Sequence, residues 1–171
     1  MKKDLPIIFA VFLIAVLLIK GTDFQTVDEY YLTHIDDITA DSKVVTLSID
    51  CSSAIKSDKL DKGLKDSGKL PDDGMILPET KYVLRDGDTV FDILDRAVRH
   101  NKIQMEYQGA DKNSYKSVYI KGIDYLYEFS CGENSGWLYI VNGKSPDVGC
   151  SDYKLQDGDK VEWKYTCSMI E

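Results

Sequence analysis

The stretch that most narrows the fold is VFDILDRAVRH, residues 90–100. Val90, Ile93, Leu94, Ala97 and Val98 fall at i, i+3, i+4, i+7 and i+8, which puts all five on one face of a helix. Asp86-Gly87-Asp88-Thr89 comes just before. Gly87 permits a tight turn, and Asp88 or Thr89 can cap the helix. Arg96, Arg99 and His100 gather at the far end, where the helix dipole favours cations. His100 therefore reads as a helix-end residue, with no Ser or Cys nucleophile pattern beside it.

A lone amphipathic helix must bury its stripe against something, and the rest of the chain offers strands. Val44–Ile49 is β-rich and ends near Cys51. Thr80–Leu84 forms a second strand. Ile103, Met105 and Tyr107 alternate, and Val118–Ile120 and Tyr125–Phe129 follow. Residues 136–141 form an aromatic ribbon closed by Asn142-Gly143, a tight-turn pair that sets a hairpin and its register. Lys160–Tyr165 alternates strictly, with Val161, Trp163 and Tyr165 on one face. Residues 52–78 are polar and broken by Gly and Pro, which predicts a long connection with one helical turn near Lys59–Leu64. One helix on a mostly antiparallel sheet is an α+β arrangement, and the β-grasp topology fits this order. In that topology the first and last strands lie side by side and parallel. Cys51 and Cys167 then emerge at the same end and are expected to pair, leaving Cys131 with Cys150.

The pairing expectation needs an oxidising compartment, and the N-terminus suggests one. Lys2 and Lys3 precede an unbroken apolar run from Ile7 to Ile19, the layout of a secretory signal. As a helix that run rises roughly 20 Å, short of a roughly 30 Å hydrocarbon core, which favours a signal peptide. The absence of a small-x-small triplet after it favours an uncleaved anchor. Either way the remainder is expected outside the cytoplasm, secreted or tethered to the membrane through residues 5–20. The expected organisation is a signal peptide or signal anchor at 1–20, a juxtamembrane stalk at 21–42 and one domain at 43–171. In the stalk, Val27, Tyr30, Tyr31, His34, Ile35 and Ile38 suit a short amphipathic helix. Four cysteines, an even number, fit disulfides in an exported chain.

Charge and residue supply then exclude functions. The net charge is −8, which repels phosphate backbones and disfavours nucleic acid. Two histidines and no Cys-x-x-Cys give a zinc site little support. Asp72-Asp73 lacks the further oxygens of a calcium loop, and the two Asp-Gly-Asp stretches, 86–88 and 157–159, read as turns. No nucleophile and base can be assembled, so catalysis is not expected.

Four segments carry a resemblance when taken as a set: GDTVFDIL at 87–94, YEFSCGENSGWLYIVNG at 127–143, GCSDYKL at 149–155 and DGDKVEWKYTC at 157–167. The chain resembles, over about residues 43–168, a bacterial family of unknown function whose domain is similar to the C-terminal domain of transcobalamin and intrinsic factor. The resemblance implies a β-grasp domain of the soluble-ligand-binding type. In the cobalamin carriers that domain caps a corrinoid held on a separate helical barrel, for which 171 residues leave no room.

The expected function is thus an exported ligand-binding module for a corrinoid-like or other flat, partly apolar molecule, with no cofactor required. Flat apolar ligands bind in clefts lined by aromatics and a few directional polar groups. Trp137, Tyr139 and Tyr153 supply the rings. Asn142, Lys144, Ser145, Pro146 and Asp147 lie on the loop that follows the ribbon. Trp137, Tyr139 and Trp163 equally suit core packing, since half of such a strand faces inward. The alternative is a protein-interaction, adhesion or transporter-accessory domain that offers a sheet edge to a partner.

Overall fold

The computed structural model describes residues 37–168 except Tyr115. The apolar run, the proposed signal or anchor and most of the stalk lie outside the described residues. Among the described residues, no helix is long and apolar enough to cross a membrane. Ile38, expected on an amphipathic helix, lies in non-helical chain and is exposed.

The fold is mixed α and β, with two sheets. The first strand, β1 (Val44–Asp50), buries alternate residues Val45, Leu47 and Ile49 completely. Two short helical turns follow, α1 (Ser52–Ile55) and α2 (Lys62–Lys65), where one was expected. The second strand, β2 (Met75–Val83), begins five residues earlier than the sequence suggested. Pro78 obscured it. Proline lacks the N–H a central strand needs, but it is tolerated on an edge, and β2 is an edge. Then come α3 (Val90–Asn101), β3 (Met105–Gln108), a 3-10 turn at Ala110–Lys112, β4 (Tyr119–Ile123), β5 (Leu126–Tyr127), β6 (Gly136–Val141) and β7 (Lys160–Thr166).

The larger sheet has the order β2-β1-β7-β6. β1 runs antiparallel to β2 and parallel to β7, with Leu47 opposite Val161 and Ile49 opposite Trp163. The first and last strands therefore lie side by side, as the sequence suggested. Val161, Trp163 and Tyr165 are all buried. Their core is shared with Val90, Ile93, Leu94, Ala97 and Val98, the five residues of the helical stripe.

The expectation of a single sheet fails. β3, β4 and β5 form a separate antiparallel sheet. Side chains rather than ladder bonds join the two: Trp137 Nε1 donates to the Leu126 carbonyl at 2.9 Å, and Tyr165 Oη to the Tyr127 carbonyl at 2.8 Å. Asn142-Gly143 does adopt the expected left-handed turn, with φ of 51° and 77°. Its hairpin extends for one bridge only, Val141 with Lys144. The register of β6 is set by β7, with Trp137 opposite Tyr165 and Val141 opposite Val161.

The start of α3 is fastened twice. Thr89 and Asp92 make a reciprocal capping box: the Asp92 N–H donates to Thr89 Oγ1, and the Thr89 N–H donates to the Asp92 carboxylate. The next free amides are taken by a distant loop, Val90 N–H by the Tyr153 carbonyl at 3.1 Å and Phe91 N–H by the Cys150 carbonyl at 3.0 Å. Helix starts leave such amides unpaired unless something supplies acceptors. Thr89→Ala removes the box and is expected to lower stability by about 1 kcal/mol, read as a shifted urea midpoint with an unchanged slope. At the other end Lys102 takes the left-handed conformation, φ 56°, and stops the helix.

Candidate functional site

The loop fastened to the start of α3 forms one wall of a groove. The opposite wall is the segment leading into β4, Ser117–Tyr119. Between them lies an open cavity of about 680 Å³. Its lining mixes apolar surface from Val118, Tyr119, Pro146 and Val148 with the carboxylates of Asp147 and Asp152. Val148 and Tyr119 are exposed, at 50% and 39%, so the apolar surface faces solvent.

Gly149 explains how closely the walls meet. A Cβ there would run into Ser117 Oγ and Cβ, so only glycine lets the loop lie against Ser117. Three polar contacts then hold the junction. Ser117 and Ser151 share a hydroxyl hydrogen bond of 2.8 Å, the Val118 N–H donates to Ser151 Oγ at 3.0 Å, and the Cys150 thiol donates to the Val118 carbonyl at 3.3 Å. Burial pushes the Cys150 thiol up to about 12, so it remains a protonated donor at neutral pH. From below, Tyr139 Oη donates to the Val148 carbonyl at 2.5 Å. Burial, with lesser contributions from Cys150, Tyr153 and Asp152, raises the Tyr139 phenol to about 12, which keeps that donor protonated as well.

The structure brings together some of the residues singled out from sequence and not others. Pro146 and Asp147 line the groove. Tyr139 supports it, and Tyr153 packs edge-on against Tyr139 with centroids 6.3 Å apart. Trp137 is buried, stacked edge-on with Tyr165 and bonded to Leu126, so it serves the junction of the two sheets. Asn142 spends its amide within the fold, donating to Asp159 and accepting from the Lys160 N–H. Lys144 and Ser145 are exposed and do not line the cavity. Ser117, Val118, Tyr119, Val148, Gly149 and Asp152 were missed. Gly149 and Asp152 lie in the GCSDYKL segment, so that motif carried a signal. Nothing local marks Ser117–Tyr119, which reach the loop only through tertiary structure.

A second cavity, about 700 Å³, lies beside the two Asp-Gly-Asp turns. Three of the carboxylates of those turns, Asp88, Asp157 and Asp159, serve the backbone, one arginine and one asparagine. Asp88 accepts from the Arg85 N–H and pairs with Arg96, Asp157 accepts from the Val44 N–H, and Asp159 accepts from the Gln156 N–H and from Asn142. Among the described residues, no three His, Cys, Asp or Glu side chains converge to hold a metal ion.

All four cysteines are free thiols. The expected bridges Cys51–Cys167 and Cys131–Cys150 are not formed. Cys150 is engaged at the groove, and the sulfur beside Cys131 is that of Cys167. β1 and β7 do end together, but Cys51 is wholly buried where β1 turns into α1, while the Cys167 thiol points at the Ser53 carbonyl and neighbours Cys131.

Together these features describe a small α+β domain with an open groove between a helix-anchored loop and a neighbouring strand. Residues 87–167, which include both walls, match the family model described as "Domain of unknown function (DUF4430)". Two solved structures are similar to the chain. One is a candidate metal-binding protein from Ruminococcus gnavus, at 11% identity and a TM-score of 0.46, covering 72% of this chain and 95% of that one. The other is haptocorrin in complex with Cbi, at 12% identity and a TM-score of 0.49, covering 78% of this chain but 27% of haptocorrin. No curated protein matches the sequence.

Proposed function

We propose that the chain is an exported ligand-binding module, and that the groove between Ser117–Tyr119 and Pro146–Asp152 takes a flat, partly apolar ligand of the corrinoid class. The observation that carries this reading is the preorganised groove. Its volume of about 680 Å³ suits a small-molecule site, and its loop is tied to α3, β4 and β6 before any ligand arrives. A loop already held in place loses less entropy on binding. The ligand class is drawn from the resemblance to the cap domain of the cobalamin carriers, and export from the N-terminal apolar run. Binding is favoured over catalysis because three of the four thiols are raised to about 12, chiefly by burial, and so are poor nucleophiles.

Calorimetric titration of the protein with cobinamide and with cobalamin tests the proposal. A saturable heat is expected, and Val148→Asp, a change at an exposed position, is expected to weaken binding at least tenfold while leaving the unfolding free energy within about 0.5 kcal/mol of the parent. No heat at high micromolar ligand would count against the corrinoid reading. A protein partner is the second reading. It is favoured by β6, an edge strand of the larger sheet, which has no proline to block strand addition, whereas β2 carries Pro78.

A further inference from the structure

Two of the cysteines that do not belong to the groove lie together, at the far end of the larger sheet. Cys167 follows β7, is half-buried, and directs its thiol at the Ser53 carbonyl on α1, 3.6 Å away. Ser53 Oγ in turn donates to the Tyr165 carbonyl, which fixes α1 against the end of β7. Cys131 follows β5 in a loop tied to the same region. The Ser130 carbonyl accepts from the Asp61 N–H at 3.4 Å, and the Cys131 N–H donates to Ser135 Oγ at 2.9 Å. Ser135 Oγ also accepts from Tyr165 Oη at 3.0 Å, which leads back to β7. The Cys131 thiol has Cys167 and Ser57 as its side-chain hydrogen-bonding neighbours. Cys51 is close by but wholly buried. The three thiols do not converge as metal ligands, so the chemistry open to this corner is that of a thiol pair.

We propose that Cys131 and Cys167 form a reversible disulfide that locks the end of β7 to the loop after β5, with a small-molecule disulfide such as oxidised glutathione as the oxidant. Cys167 is the accessible member and reacts first. Its thiolate attacks one glutathione sulfur, forms a mixed disulfide and expels glutathione thiolate, which takes up a proton. Cys131 then loses its proton and attacks Cys167 Sγ, and the second glutathione leaves as a thiol. Two protein thiols are oxidised by two electrons, and one glutathione disulfide is reduced to two thiols. Burial first, then the neighbouring Cys167, raises the Cys131 thiol to about 12. The second step is therefore slow at neutral pH and accelerates as pH rises.

The bridge would join the two sheets covalently where Tyr165 already joins them by hydrogen bonds. Incubating the folded full-length chain with oxidised glutathione, alkylating, digesting and mapping by mass spectrometry tests this. The expected product is a Cys131–Cys167 peptide pair, with Cys51 and Cys150 alkylated only after unfolding. Its formation should speed up with pH, and dithiothreitol should reverse it. Cys150→Ser should bridge as the parent does, and Cys167→Ser should not bridge. A bridge containing Cys51 or Cys150, or glutathione held on Cys167 with Cys131 still reduced, overturns the proposal. The parent's map decides the matter even if a variant folds poorly.

Discussion

Gly149→Ala is expected to abolish ligand binding in the groove and to destabilise the fold by about 1–3 kcal/mol, the usual cost of overpacking a close contact. The backbone at Gly149 is not in the left-handed region, so alanine is admissible in conformation. The obstacle is Ser117, whose Cβ and Oγ occupy the space a methyl group needs, with Asp152 Oδ2 only 3.3 Å from that methyl position. The loop must then lift off the strand, breaking the Ser117–Ser151 and Val118–Ser151 hydrogen bonds together. Because the obstacle is a side chain, the damage should be repairable. Adding Ser117→Gly to Gly149→Ala removes the clashing atoms and should recover most of the lost stability, giving a large coupling energy in a double-mutant cycle. If Gly149→Ala binds and unfolds like the parent, the close apposition of the two walls is wrong.

Gly74→Ala should be worse and should have no such remedy. Gly74 has φ of 79°, which L-residues with a Cβ adopt at a cost. A Cβ there would lie 2.5 Å from Ser52 N and nearer still to Ser52 Cα, and main-chain atoms cannot swing aside. The Gly74 carbonyl also accepts the Cys51 N–H at 2.7 Å, at the point where β1 turns into α1. Strain and overpacking together predict a loss of about 3 kcal/mol or more, a large share of the 5–15 kcal/mol typical of a domain. Denaturant unfolding monitored by tryptophan fluorescence measures it, since Trp163 faces Ile49 of β1 in the register. A loss of unfolding free energy under about 1 kcal/mol would contradict the packing of β1, α1 and the start of β2.

Elements with a strong internal period were readable from the sequence. The stripe of α3 and the alternations of β1 and β7 state both their structure and their inward face. The parallel pairing of first and last strands followed from element order. Tertiary partnership was not readable. β6 looked like half of a hairpin because Asn142-Gly143 has the right turn chemistry, yet its true partner lies beyond a long loop. The start of β2 was hidden by Pro78, which is harmless on an edge. At the groove, Pro146 and Asp147 stood out as loop residues, but Ser117–Tyr119 form the opposing wall through contacts that no local pattern encodes. Cysteine partners failed for the same reason: parallel strands bring their ends together, while the path each chain takes afterwards decides which sulfurs meet.

The position of β7 also governs when the molecule can assemble. β1 is the second strand of its sheet, and one of its two neighbours is β7, the last of the described strands in sequence, with Thr46 paired to Lys160. During synthesis from the N-terminal end, Val45, Leu47 and Ile49 cannot be fully covered until β7 has emerged, more than 100 residues later. Contacts so distant in sequence slow folding, because the loop between them must be closed first. Until then β1 keeps one side open to pairing with other chains. A product that stops short of β7 therefore loses more than one strand: it leaves the middle of the sheet as an adhesive surface.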